Sequence, residues 1–257
     1  MSSLLWFPGF AMTAGACWIA GLSLRAAGRL RGGTLIYLGG ILVLAIYLAL
    51  LWQHLERPPM RTLGETRLWY SLLLPAVALL LAARWAIGWP LAYGAGMAGV
   101  FLTINLMRPE AFDKVLMPAL QSPWFVPHVV VYILAYAFLS ASALGGVRFL
   151  LGRHDVLPAC DRAVWIGLAL LTMGLLFGAL WAKEAWGHYW TWDPKETWAF
   201  LTWAIYLAYI HIRVQHPTAQ RTAALFLLSA AIVLGVCWFG VNYLPSAASS
   251  VHTYTQP

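Results

Sequence analysis

The residue types in this sequence that could do chemistry concentrate in one tryptophan-rich window and at a few histidines. The window, WAKEAWGHYWTWDPKETWAF, covers residues 181–200 and places five indoles among five charged side chains. Flat apolar rings with charges beside them suit a flat apolar ligand that has a polar edge. An aromatic belt at a membrane surface is the competing interpretation, but it explains a single Trp better than it explains this cluster.

Three histidines occupy positions that a membrane protein does not fill without reason. His128 opens an apolar stretch in FVPHVVVYILAY, and His252 follows the last apolar stretch in SSVHTY. Two neutral imidazoles can hold one haem iron from opposite faces, so this pair is predicted to ligate haem at the depth of the window. His211, in YLAYIHIRVQH, is a functional candidate because ionisable groups are costly inside a membrane span. An interfacial histidine without a ligand is the alternative for each.

Long apolar stretches must position these residues. The chain is 61% hydrophobic and 10% charged, whereas a soluble domain is typically about 25% charged. About 20 apolar residues span a bilayer as a helix, and such stretches recur along the whole length. The sequence predicts an all-α integral membrane protein, with N-terminal helices one to four in 1–110 and the histidines and the window in 111–257. The eight predicted spans are 3–24, 34–54, 68–87, 89–107, 128–150, 161–181, 197–214 and 222–244.

The charged residues outside these spans predict the orientation in the membrane. With 16 Lys and Arg against 9 Asp and Glu, the net charge is +7. One set of loops holds nine basic and two acidic residues, and the other holds seven of each, so the whole excess falls on one side. Basic loops face the cytoplasm, so both termini and the window are predicted to lie on the outer side. The basic balance reports orientation and gives no reason to expect nucleic acid as a partner.

The window also carries local signals for its own backbone. In DPKE, Asp193 can cap a helix that begins at Pro194, and Glu196 can bond back to the cap. Asp193 and Glu196 therefore have two open roles, helix capping and ligand contact. In WGHYWTW, the alternation of aromatic residues suits an extended platform, whereas Trp186 and Trp190 also fit one helical face, and both arrangements stay open.

The window closely resembles the tryptophan-rich WWD signature of haem-handling proteins, in the form carried by the CcsA (ResC) branch of cytochrome c maturation. LMPALQSPWFVPHV is similar to the segment before the first outer histidine of that branch, and FGVNYLPSAASSVHTY is similar to its final segment. The resemblance covers roughly residues 115–257, with Ser-Val-His-Thr-Tyr in place of the usual Gly-Leu-His-Ser-Tyr. It extends weakly over 55–75, where Pro59 and Glu65 match and no role is assigned.

The resemblance implies an eight-span protein of a bacterial inner membrane or a thylakoid-type membrane. Such a protein takes haem b, a non-covalent transported ligand, to the outer face and presents it to apocytochrome c with a C-x-x-C-H motif. It would be the haem-presenting subunit of a cytochrome c synthase (haem lyase) complex, with a second membrane subunit of the CcsB (ResB) type. The resemblance assigns the outer axial ligands to His128 and His252, the intramembrane histidine to His211, and the haem platform to Trp186, Trp190, Trp192 and Asp193.

Two other classes of protein fit parts of the pattern. A membrane cytochrome b, an electron-transfer subunit with bis-histidine haem, would place its histidines on facing helices within the bilayer. The proposed pair instead lies at the outer edge beside a Trp-rich loop, which favours handover of the haem. A small-molecule permease with an ordinary aromatic belt explains neither the histidines nor the signature. No side chain stands out as a catalytic acid or base, so the predicted task is to hold and position the haem.

Overall fold

The computed structural model describes residues 6–85, 87–112, 119, 122–246 and 250, and the regular structure of these residues is helical. Eight long helices account for most of it, joined by short loops and single 3-10 turns. The helices are α1 (Phe7–Ala26), α2 (Leu30–Leu55), α3 (Leu63–Trp85), α4 (Trp89–Met107), α5 (Phe125–Leu150), α6 (Leu157–Trp186), α7 (Pro194–Gln215) and α8 (Gln220–Trp238). This confirms the predicted all-α class, and the eight long helices correspond in position to the eight predicted spans.

Among the described residues, seven of these helices are long and apolar enough to cross a membrane, and α7 is the exception. It has 22 residues, so it reaches ~33 Å at the usual helical rise, which exceeds a hydrocarbon core of about 30 Å. Its composition is more polar because Thr, Trp and Tyr residues and His211 interrupt its apolar positions, and Lys195, Glu196 and Arg213 lie near its ends. The chain is therefore an integral membrane protein of about eight spans.

The last predicted span was too long. The apolar run was expected to stay helical through residue 244, but α8 ends at Trp238 and is followed by a 3-10 turn, Gly240–Tyr243. An apolar composition does not distinguish an α-helix from a tighter turn, because both bury the same side chains. The sixth predicted span was too short, since α6 continues past the predicted end at residue 181 as far as Trp186.

The chain divides into two compact units, Met1–Gln121 and Ser122–Pro257. In the first, α1 packs mainly on α2 and α3 on α4, and further contacts close the four helices into a ring. Its core includes Trp18, Tyr37 and Leu44, and the Tyr37 hydroxyl donates a 3.0 Å hydrogen bond to the Leu91 carbonyl at the start of α4. This unit holds the loop between α2 and α3, residues 56–62.

The second unit is also a ring of four helices, in which α5 packs on α6 and α8, and α7 packs on the same two neighbours. A partly buried ion pair connects α7 to α6, because Arg213 donates from Nε and Nη2 to the two carboxylate oxygens of Asp161, each at 2.8 Å. The Tyr209 hydroxyl donates a third hydrogen bond to Asp161 at 2.6 Å. The helices that carry His128, His211 and the tryptophan window all belong to this unit.

Candidate haem-binding site

His128 lies in the first turn of α5, and its ring is oriented by the backbone of α6. Its Nδ1 atom is 2.9 Å from the carbonyl oxygen of Gly174. A carbonyl oxygen only accepts, so Nδ1 carries the proton and the neutral ring has its lone pair on Nε2. This is the tautomer that a metal-ligating histidine adopts when its other nitrogen donates to a second-shell group.

Aromatic rings pack around His128 and connect it to the start of the window. The ring centroid of His128 is 4.6 Å from that of Tyr132 and 5.4 Å from that of Trp181. Trp181 in turn lies 5.0 Å from Trp186 and 5.2 Å from Phe125. Two of the predicted site residues, His128 and Trp186, are therefore brought into one aromatic cluster through the buried ring of Trp181.

The window is helical at both ends, in α6 as far as Trp186 and in α7 from Pro194, and residues 187–193 between them form a loop. α6 ends after Trp186 because Gly187 adopts a left-handed conformation, φ +86°, and its N–H bonds to the Lys183 carbonyl at 3.1 Å. A left-handed glycine is a common helix terminator, since other residues meet a Cβ penalty there. Trp190 lies beyond this point, in the loop of residues 187–193, so it does not continue a helical face with Trp186.

A second set of rings runs from this loop along α7. Trp190 packs edge-on against Trp192 at 5.7 Å, and Trp192 packs edge-on against Phe200 at 5.6 Å. Phe200 stacks on Trp203 at 5.9 Å, and the Trp203 indole donates a 2.9 Å hydrogen bond to Thr172 Oγ1 on α6. Two more predicted site residues, Trp190 and Trp192, thus contact each other directly.

Two tryptophans of this loop have unusual features, a positive φ in one and, among the described residues, an unpaired indole N–H in the other. Trp192 has φ +58°, a left-handed conformation that is rare for a bulky side chain, although 62% of its surface is exposed. The Nε1 atom of Trp190 is buried and has no hydrogen-bond acceptor among the described residues. Buried donors are normally paired and strained backbone is common at functional sites, so the coincidence of the two features makes this loop a candidate binding site.

Asp193 and Glu196 begin α7, as the sequence predicted. Asp193 is the N-cap, accepting a 2.8 Å hydrogen bond from the Lys195 N–H, and it forms a capping box with Glu196. The Glu196 carboxylate accepts from the backbone N–H groups of Asp193 at 3.2 Å and Thr191 at 2.8 Å. The capping prediction is confirmed for both residues, and contact of Asp193 with haem stays a prediction.

His211 is not brought to this end of the unit. It lies 18 residues after Asp193 on α7, which is ~27 Å along the helix. Tyr209 and Arg213, on either side of it, both bond to Asp161 on α6, so His211 projects from the opposite face and is exposed. His252, the predicted partner of His128, lies outside the described residues.

Three residues that the sequence argument did not single out surround His128. Gly174, Gly178 and Trp181 recur at i, i+4 and i+7 on α6 and contact the rings of His128 and Tyr132. The pattern G-x-x-x-G-x-x-W just before the window was a readable signal, because small residues at helical spacing mark a face that a neighbouring helix approaches closely.

The described residues form a helical membrane bundle whose second unit carries both an oriented histidine and an exposed tryptophan-rich loop. The family model described as cytochrome C assembly protein matches residues 36–248, and the chain belongs to this family. Within it, the chain is a member of the CcsA group, since its relatives are cytochrome c biogenesis proteins CcsA with 30–37% identity.

Three relatives give the extent of the similarity. CcsA of Synechococcus sp. (strain CC9311) is 30% identical, over 86% of this chain and 87% of the relative. CcsA of Chlamydomonas reinhardtii is 32% identical, over 83% of this chain and 65% of the relative. CcsA of Prochlorococcus marinus (strain MIT 9312) is 37% identical, over 54% of this chain and 56% of the relative. The chain thus covers less than two thirds of the length of the last two.

Proposed function

We propose that this protein acts in cytochrome c maturation by binding haem b as cargo, moving it to the outer face of the membrane and presenting it to apocytochrome c. The observation that carries the proposal is the orientation of His128. Its Nδ1–H is bound to the Gly174 carbonyl, so the neutral ring carries its lone pair on Nε2, which is the tautomer that ligates iron. The adjoining indoles supply the flat apolar surface that a porphyrin requires.

The other donors of the site fit haem as well. Haem has an apolar macrocycle and two carboxylate side chains, so it needs aromatic faces and hydrogen-bond donors together. Exposed Trp192 and Tyr189 offer the faces, and the buried Nε1–H of Trp190 is suited to an acceptor oxygen. His252 is the proposed second axial ligand, carried over from the resemblance to the CcsA branch.

The proposed role of the protein side chains is to hold the haem reversibly. The chemistry that haem supplies is its vinyl groups, which form thioether bonds with the cysteine thiols of C-x-x-C-H in apocytochrome c. The neutral His128 binds through one nitrogen, so a histidine of the incoming motif can replace one protein ligand at the iron. A ligand set of this kind binds firmly and still permits release.

The proposal includes an orientation and a partner. The excess of basic residues on one set of loops supports a cytoplasmic location for that set and an outer location for the window and both termini. His211, exposed on the face of α7 opposite the Asp161 contact, supports a second ligand contributed by another chain. A membrane subunit of the CcsB (ResB) type is the proposed source, and haem would enter near His211.

The test is the haem spectrum of the purified protein and the yield of mature cytochrome c in the same cells. His128→Ala should remove most of the six-coordinate bis-histidine signal and lower the cytochrome yield, because one axial ligand is lost. Added imidazole should restore part of both by filling the vacated position. With the partner subunit co-purified, His211→Ala should lower the haem content of the complex.

The matched controls are His54→Ala and His216→Ala, since both histidines are exposed and neither belongs to the proposed sites. Both should retain the wild-type spectrum. If His128→Ala also retains it, the ligand assignment is wrong. If haem stays bound after reduction and never reaches an apocytochrome, an electron-transfer cytochrome b becomes the better description.

A further inference from the structure

We propose that Gly174 and Gly178 of α6 are positioning residues for His128, which set its tautomer and the direction of its Nε2 atom toward the iron. This inference rests on the proposed function, in which His128 is an axial ligand. It adds a different requirement, because it assigns the ligand geometry to two residues that carry no side chain.

The first step is the exposure of a helix carbonyl. In an α-helix the carbonyl of residue i points toward residue i+4, whose N–H it accepts, and the side chain at i+4 flanks that oxygen. Gly174 and Gly178 have this spacing, so the Gly174 oxygen has no Cβ beside it. A carbonyl oxygen has two lone pairs, and the second one receives Nδ1–H of His128 at 2.9 Å.

The second step is the lack of space for any other residue. A Cβ atom at Gly178 would lie 2.8 Å from Cε1 and 2.9 Å from Nδ1 of His128, closer than Cβ contacts occur in proteins. The imidazole therefore fills the volume that a side chain at residue 178 would occupy. An alanine there would displace the ring from the Gly174 carbonyl.

The third step is that the same helix pair fixes the neighbouring ring. A Cβ at Gly174 would lie 2.5 Å from Cδ2 of Tyr132, the ring that packs 4.6 Å from His128. The contacts of α5 with α6 thus run in antiparallel register, His128 against Gly178 and Tyr132 against Gly174. One face of α6 supports both rings, and Trp181 closes it one turn further on.

The consequence for the ligand follows from the hydrogen bond. A second-shell acceptor on the far nitrogen of a ligating histidine fixes the orientation of the ring and raises its basicity, and its loss typically lowers metal affinity about 10–100-fold. Gly178→Ala should therefore lower haem retention by about 10-fold or more and shift the spectrum away from the bis-histidine form. Added imidazole should restore part of the signal.

The experiment compares four membrane-extracted, purified variants of the full chain by absorbance spectrum and haem retention. Gly178→Ala is the test, His128→Ala is the ligand control, and Gly235→Ala is the matched glycine control, because a Cβ at residue 235 of α8 meets nothing within 4 Å. The fourth variant combines His128→Ala with Gly178→Ala. In the absence of the ring the added methyl has space, so the double variant should behave as His128→Ala alone.

Each outcome separates the two proposals. If His128→Ala retains the wild-type spectrum, the proposed ligand is wrong. If His128→Ala loses haem but Gly178→Ala matches Gly235→Ala, the positioning role is wrong and the proposed function stands. If Gly178→Ala does not fold, recovery of folding in the double variant supports the steric contact with His128. Failure to fold in both overturns it, because the defect would then be independent of the imidazole.

Discussion

Two loops of this protein lead into a membrane helix through the same kind of capping box, but one loop is internally hydrogen-bonded and the other is exposed. In the loop of residues 56–62, Thr62 and Glu65 exchange capping-box hydrogen bonds at the start of α3. In the loop of residues 187–193, Asp193 and Glu196 do the same at the start of α7. Each box satisfies backbone donors that a helix start leaves open. The difference between the loops therefore lies in what surrounds the box.

The first loop is closed on itself. The Glu65 carboxylate accepts from Arg57 at 2.8 and 3.0 Å and from the Arg61 N–H at 2.8 Å, and its side chain is 3% exposed. The indole of Trp69 donates to the Pro59 carbonyl at 2.8 Å. Each of these groups has a partner within the loop and the helix that follows it, so the role of this loop is structural.

The second loop is left open. Trp192 and Tyr189 are 62% and 56% exposed, Trp192 has a positive φ, and the buried Nε1–H of Trp190 has no acceptor in the described part of the chain. The same kind of capping box can therefore follow a fully hydrogen-bonded loop or a loop with an exposed aromatic surface. A positive φ occurs in both loops, at Glu56 and at Trp192, so the exposed rings and the unpaired indole N–H separate the two uses.

The largest expected effect is on stability, from Glu65→Ala. Removing one partner of a buried ion pair leaves the other charge and several N–H groups unpaired, so the free energy of unfolding should fall by about 3 kcal/mol. Glu196→Ala should lower it by about 1 kcal/mol, because Glu196 accepts from uncharged backbone groups. Denaturant unfolding in detergent measures both, with exposed Glu56→Ala as the control.

Haem retention should rank these two variants in the reverse order. Glu196→Ala loosens the open loop directly, so the surviving folded protein should retain less haem than wild type. Folded Glu65→Ala should retain the wild-type amount. Equal stability losses for the two carboxylates would contradict the distinction between a closed and an open loop.

Sequence alone predicted those features that depend on composition or on neighbouring residues. The spans followed from apolar length, and the Asp193 cap followed from DPKE, whose chemistry is local. The roles of Gly174 and Gly178 were missed because their spacing marks a packing face of α6 but does not specify the register of α5 against it, which places His128 there. The exposed face of His211 likewise follows from the Asp161 contact of its neighbours, a contact between helices that are distant in sequence.

The next effect concerns the positive φ of Trp192. A non-glycine residue in the left-handed region carries a penalty of about 1–2 kcal/mol that glycine does not. Trp192→Gly should therefore unfold with a higher free energy than Trp192→Ala, by about 1 kcal/mol, since both remove the same indole. Trp190, which has no positive φ, should show the opposite order, with glycine less stable than alanine. If glycine and alanine rank in the same order at both positions, the backbone at Trp192 is not strained.

The smallest effect compares the two indole N–H groups. Trp69→Phe removes a donor that is bound to the Pro59 carbonyl, and Trp190→Phe removes a buried donor that has no acceptor among the described residues. Both changes keep an aromatic ring and lose similar volume, so the difference between them isolates the N–H. An intact hydrogen bond contributes about 0.5–1.5 kcal/mol, whereas an unpaired buried donor is destabilising.

The haem-free Trp69→Phe variant should therefore unfold with a free energy about 1 kcal/mol lower than that of haem-free Trp190→Phe. Haem should reverse the ranking, because the Trp190 N–H is the donor suited to an acceptor on the ligand. Unfolding of each variant with and without haem measures the two differences. If Trp190→Phe is the less stable of the pair without haem, its N–H already has an acceptor within the protein. If it binds haem as tightly as Trp69→Phe, Trp190 supports the loop through its ring alone, and the open loop must contact its ligand through other groups.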